Sequence, residues 1–197
     1  MRAVLFAFCF LPATLVAGQF NKQLTIGDAA PSWEKLPGVD GKMHSLAELK
    51  DKEFVVVVFT CNSCACSEEY EDRIIAFEKK YRDRVALVAI NVNTIAEDKL
   101  EAMKKKAEKK KFEFQYLYDE SQKSARDYGA IYTPEFFVLN KERKVVYMGA
   151  LDDKTNVADV KETYLADALE ALLKKEKLTK TETQARGCLI RFKRNRD

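Results

Sequence analysis

Phe54-Val55-Val56-Val57-Val58-Phe59-Thr60-Cys61-Asn62-Ser63-Cys64 is the stretch on which the fold turns. Its apolar run, flanked by charge, reads as a strand in the middle of a sheet covered on both faces. Behind it, Tyr70, Ile74, Phe77 and Tyr81 recur with the period of an amphipathic helix. A strand that runs into C-x-x-C and then into a helix is the layout of a thiol–disulfide redox site. The helix N-terminus is electropositive and favours the thiolate of a cysteine placed there. A second cysteine one turn further on can close on the first as a disulfide.

Outward from this stretch the elements alternate. Val85 to Val92 reads as a second buried strand. Glu97 to Lys111 reads as a Lys-rich helix with Leu100, Met103 and Ala107 inward and its lysines on a solvated face. Phe112 to Tyr118 reads as a strand, and Gln122 to Tyr128 as a short helix closed by Gly129. Phe136 to Asn140 and Lys144 to Gly149 form a hairpin around Lys141-Glu142-Arg143. A last helix covers Asp159 to Lys174, with Val160, Tyr164, Leu165, Ala168 and Leu172 apolar. Before the central strand, residues 26–33 read as an irregular lead-in, and Pro37-Gly38 and Asp40-Gly41 as turns. The order implies an α/β fold: a mostly parallel sheet, helices on both faces and an antiparallel hairpin at one edge.

A chain of 197 residues with 47% hydrophobic content is ample for one domain. Arg2 precedes an apolar stretch, Ala3 to Ala17, too short to span a bilayer comfortably. It ends in Val16-Ala17-Gly18, small residues of the kind cut by signal peptidase. The expected organisation is therefore a signal peptide over 1–18, a domain over 19–175 and a basic tail over 176–197. Export to the periplasm or beyond follows, with no stable membrane span after cleavage near Gly18. The formal net charge of +3, which loses Arg2 with the leader, is too small to argue for nucleic acid or an anionic membrane surface.

The mature chain keeps Cys61, Cys64, Cys66 and Cys188. Three of them crowd one strand–helix junction, which is poor stapling and good redox chemistry. Cys66 stands two helical positions beyond Cys64, about 200° around a regular helix, so those two cannot pair there. It reads as a buried packing thiol before a third redox centre. Cys188 stays open between a resolving cysteine brought in by the tail and a structural thiol under the last strand.

These residues resemble the thioredoxin-fold superfamily, in particular its exported redoxin branch of TlpA-like and AhpC/TSA proteins. Ile26-Gly27-Asp28-Ala29-Ala30-Pro31 looks like the branch's G-x-x-A-P opening. Asp40-Gly41-Lys42 with Ser45-Leu46 and Leu49-Lys50 looks like its D-G-K…S-L-x-x-L-K stretch. Thr133-Pro134 resembles the cis-proline loop that faces C-x-x-C. Gly187-Cys188 with Leu189-Ile190-Arg191-Phe192 resembles the G-C-x-I-x-W ending of a bacterial subset. The resemblance implies a three-layer α/β/α sandwich with a mixed central sheet and a C-terminal antiparallel hairpin. It implies Cys61 as the exposed attacking thiol and Cys64, more enclosed, as the one that resolves the mixed disulfide. Pro134 would offer a backbone edge to a substrate cysteine, and Thr133 would tune potential and partner choice.

The chain also departs from the pattern. Asn62-Ser63 stands where thioredoxin has Gly-Pro, Phe59-Thr60 replaces the usual Trp, and Val55 stands where a buried acid assists the second thiol. The peroxidase signature P-x-x-x-T/S-x-x-C is missing. The expected activity is thus that of an exported thiol–disulfide oxidoreductase, with a thiol peroxidase of the AhpC/TSA type second. A metal-handling protein built on Cys61, Cys64 and Cys66 comes third. The oxidoreductase reading calls for no cofactor and no bound metal. Its partners are a thiol- or disulfide-containing substrate and an upstream redox donor; direction of flow and oligomeric state stay open.

Overall fold

The computed structural model describes residues 18–193, so most of the expected signal peptide and the last four residues lie outside the described residues. In chain order the strands and helices begin with β1 (Leu36–Pro37), β2 (Met43–His44), β3 (Phe54–Thr60), α1 (Ala65–Tyr81), β4 (Val85–Asn91) and α2 (Leu100–Lys110). They continue with β5 (Gln115–Tyr118), α3 (Lys123–Tyr128), β6 (Tyr132–Thr133), β7 (Glu135–Leu139), β8 (Val145–Gly149), α4 (Tyr164–Leu173) and β9 (Cys188–Leu189). The central sheet has the order β5-β4-β3-β7-β8. β3, β4 and β5 are parallel, while β7 and β8 add an antiparallel hairpin. This is the mixed sheet and thioredoxin-like α/β/α sandwich that the family resemblance implied.

β3 is buried along its whole length, and its side chains alternate between two cores. Val56 and Val58 face Tyr70, Ile74 and Phe77 of α1, Met103 of α2 and Leu165 and Leu169 of α4. Val55, Val57 and Phe59 face Ala125 and Tyr128 of α3 with Trp33 and Leu46 of the lead-in. A strand apolar on every residue is what such two-sided burial requires.

Element boundaries shift for local reasons. α2 starts at Leu100, after a 3-10 turn over Ala96–Asp98, because Lys99 is extended and the Asp98 side chain is drawn inward. α4 starts at Tyr164 rather than near residue 159, because Asp153 accepts the backbone N–H of Lys161 and Glu162 and holds that segment extended. β5 starts at Gln115; Phe112 and Phe114 stack on each other and pack against the first core.

Residues 176–193 run along the domain rather than away from it. Thr183 is buried, accepts the Ala150 backbone N–H at 2.9 Å, and shares a hydrogen bond with the Tyr147 hydroxyl at 2.7 Å. Ile190 enters the second core, and Arg126 lies over the Phe192 ring. Between them β9 pairs antiparallel with β6, bringing Cys188 opposite Thr133. No helix among the described residues is long and apolar enough to cross a membrane.

Candidate active site

The residues between β3 and α1 are held by an acid that the sequence pattern did not single out. Asp98 is fully buried, and one carboxylate oxygen accepts the backbone N–H of Asn62 at 2.6 Å and of Ser63 at 3.2 Å. The other accepts the Ser63 hydroxyl at 2.8 Å. Asn62 is tied further: its side chain donates to the Glu97 carbonyl and accepts the Tyr116 hydroxyl, and its own carbonyl accepts Lys106. Lys106 is itself mostly enclosed and paired with the buried Glu71, so it is not part of a solvated lysine face. A loop whose backbone groups are satisfied in this way has little freedom to change shape.

Cys61 ends up inside, not outside. Its relative exposure is 3%, against 9% for Cys64, the reverse of the expected order. Burial pushes the Cys61 thiol above the ordinary cysteine value, and the negative charge of Asp98 adds to this. The Ser67 hydroxyl at 3.3 Å, the Thr133 hydroxyl at 3.4 Å and the Cys64 backbone N–H act the other way without prevailing. A cavity of about 20 Å³ adjoins Cys61, lined by Asn62, Ile74, Lys106 and Tyr116 among others, with space for about one water.

Cys64 is the N-cap of α1, with extended backbone (φ −102°, ψ 123°), rather than a residue one turn into the helix. Its sulfur is bonded to Cys188, with the two Cα atoms 6.7 Å apart, and Cys61 is a free thiol. The disulfide in the structure is therefore not the expected Cys61–Cys64. Cys66 is also free and half-buried, not a buried packing thiol. Its Sγ and those of Cys64 and Cys188 lie within 4.8 Å of one another. The helical-wheel argument that separated Cys64 from Cys66 fails because Cys64 precedes the first helical residue. Among the described residues, the thiols close enough to share a metal are thus Cys64, Cys66 and Cys188, and two of them are joined to each other.

Thr133-Pro134 is a cis peptide bond, as the resemblance implied. The edge next to it is occupied: Thr133 pairs with Cys188 through β6 and β9, and the Thr133 hydroxyl donates to the Cys188 carbonyl at 3.3 Å. Gly187 passes so close that a Cβ there would overlap the Thr133 carbonyl oxygen, so only glycine lets the tail lie flush. Immediately after the cis-proline, the buried Glu135 accepts the backbone N–H of Ile131 and Tyr132. Burial pushes its carboxyl up to about 7. Ser67, Asp98, Lys106 and Glu135 carry no motif, and only Glu135, just before Phe136-Phe137-Val138-Leu139, stands against an apolar run.

Solved structures of other proteins share the shape of this chain. A hypothetical protein from Sinorhizobium meliloti is 34% identical, with a TM-score of 0.80, covering 86% of this chain and 96% of that one. An uncharacterized conserved protein from Geobacillus kaustophilus is 33% identical, with a TM-score of 0.80, covering 88% and 95%. A putative thiol:disulfide interchange protein DsbE from Chlorobium tepidum, 24% identical with a TM-score of 0.57 over 77% and 95% of the two chains, shares the fold. No curated protein matches the chain. The family model described as Redoxin matches residues 25–165, from the lead-in through C-x-x-C and the cis-proline to the start of α4. By that match, the chain belongs to the Redoxin family and is an oxidoreductase.

Proposed function

We propose that the protein is an exported thiol–disulfide oxidoreductase whose exchanging sulfur is Cys64. The observation that carries this reading is the tail itself: a cysteine on an extended segment lies antiparallel to Thr133, beside cis-Pro134, with its sulfur bonded to Cys64. Cys188 thus occupies the place of a substrate cysteine, and Thr133-Pro134 is the docking edge. Cys64 lies at the N-terminal end of α1, where negative charge is favoured, whereas Cys61 is buried and its thiol pushed up. The roles expected of the pair are therefore exchanged. The Cys64 thiolate attacks a substrate disulfide and one substrate sulfur leaves as thiolate. Cys61 then attacks Cys64, releasing the second substrate sulfur and leaving Cys61–Cys64 oxidised for an upstream dithiol to reduce. The thiol peroxidase reading has less support, since hydroxyls rather than a guanidinium flank Cys61.

The test uses the Cys61→Ser/Cys66→Ser/Cys188→Ser chain, which keeps Cys64 as the one cysteine of residues 19–197. With a disulfide-bonded peptide it is expected to accumulate a mixed disulfide at Cys64, read by mass spectrometry. Thiol counts that do not change between oxidised and reduced glutathione buffers in the unmutated chain would sink the proposal. Stoichiometric consumption of hydrogen peroxide with a sulfenic acid at Cys61 would favour the peroxidase instead. N-terminal sequencing of protein recovered from outside the cytoplasm is expected to begin near residue 19.

A further inference from the structure

In the observed state the exchanging sulfur is blocked, because Cys64 is bonded to the tail. A free thiol stands beside that bond: Cys66 Sγ lies within 4.8 Å of both its sulfurs. Disulfides rearrange by attack of a thiolate on one sulfur of the bond, and proximity of this kind is what makes such an attack fast. We propose that Cys66 is the third catalytic thiol, which takes Cys188 over from Cys64 and so returns Cys64 to its C-x-x-C partner. This rests on the oxidoreductase reading above for its purpose, though not for its chemistry.

The step balances within the chain. Cys66 gives its proton to solvent, which it reaches because it is only half-buried. Its thiolate attacks Cys188 Sγ, the Cys64–Cys188 bond breaks and a Cys66–Cys188 bond forms. Cys64 leaves with the electron pair and takes a proton from solvent when it needs one. One disulfide is present before and after, so no outside oxidant or reductant is required.

The choice of target follows from position. Attack on Cys188 expels Cys64 at the N-terminal end of α1, where a departing negative sulfur is stabilised. Attack on Cys64 would instead join residues two apart across the first turn and free Cys188, leaving Cys64 blocked. Cys188 is only partly buried on the two-residue strand β9, held by two backbone pairs, so it can move toward either partner. The result is an enzyme with two disulfide arrangements. In one the tail occupies Cys64; in the other the tail rests on Cys66, and Cys61 and Cys64 form the dithiol that the C-x-x-C motif implies. Oxidation of that dithiol would then place two disulfides in the site, four electrons in all.

Disulfide mapping of the full chain decides the matter. Samples are oxidised with glutathione disulfide, quenched in acid, alkylated and digested without reduction. The Cys64→Ser chain is expected to join Cys188 to Cys66 in most molecules, and the Cys66→Ser chain to join Cys188 only to Cys64, beside any Cys61–Cys64 that forms. The unmutated chain, oxidised to one disulfide per molecule, is expected to give both peptides, so the reading does not depend on how well a variant folds. Absence of the Cys66–Cys188 peptide from both the unmutated and the Cys64→Ser chains overturns the proposal. A chain that ignores every external disulfide would bring down the oxidoreductase reading instead, and the mapping would still decide the role of Cys66.

Discussion

A thiol's chemistry is set by what surrounds its sulfur, and Cys61 shows how far this can depart from a motif's promise. The sulfur is buried and faces the charge of Asp98, with the Ser67 and Thr133 hydroxyls as its polar contacts. Ser67→Ala removes one hydrogen bond that favours the thiolate, so the Cys61 thiol is expected to titrate still higher. Asp98→Asn removes a nearby negative charge and is expected to move it lower. Thiolate absorbance near 240 nm, followed against pH in a Cys66→Ser background, reads both; shifts of the same sign in the two variants would refute this account. Glu135 gives a separate pH signature. Its folded carboxyl titrates at about 7 against an ordinary value of 4.5, so between those values the native state holds a proton that the unfolded chain has released. Its contribution is full below about 4.5 and is lost as pH rises through 7, up to about 3 kcal/mol for that shift. Urea denaturation from pH 4 to 8 is expected to show this slope, and Glu135→Gln to flatten it.

At the scale of elements, the site is the junction of β3, α1 and the Asp98 turn. β3 and α1 were legible because burial leaves a period in the sequence: continuous for a strand covered twice, 3.6 residues for a helix covered once. The Asp98 turn was not, because a buried acid binding backbone N–H groups 36 and 35 residues away leaves no local periodicity. The order of exposure at C-x-x-C was unreadable for a related reason: it depends on where α1 begins, and a start about one turn later makes Cys64 a cap. Asp98→Ala would strand the buried Asn62 N–H and leave that of the exposed Ser63 to solvent, a loss of about 1–3 kcal/mol. Hydrogen exchange is expected to quicken at residues 61–65 before it does so in β4. Unchanged protection there would mean that Asp98 does not hold the loop.

For the whole molecule, the tail is the part that a sequence reading most understates. A basic stretch after the last helix looks detachable, yet its apolar residues close the second core and its cysteine bonds to a residue 124 positions away. Closing a loop of that length stabilises by at most about 5 kcal/mol in the chain-entropy view. Reduction is therefore expected to lower the melting temperature of the unmutated chain, and to affect that of Cys188→Ser, which can close only the short Cys61–Cys64 loop, much less. Equal effects on both would assign the change to reductant rather than to this bond. Pairing with Thr133 also joins the tail to Cys61 through a single hydrogen atom. A hydroxyl has one proton to give, and that of Thr133 goes to the Cys188 carbonyl, which leaves Cys61 only a lone pair to meet. Once Cys61 ionises, its sulfur competes for that same proton, and the carbonyl loses it. Ionisation and detachment of the tail consequently favour each other by an equal free energy, whichever comes first. Cys188→Ser is expected to lower the Cys61 titration relative to the oxidised parent, and Thr133→Val to shrink that difference. The tail would then act as a proton competitor as well as a covalent cover, and the binding of a partner at the docking edge would itself change how readily the buried thiol ionises.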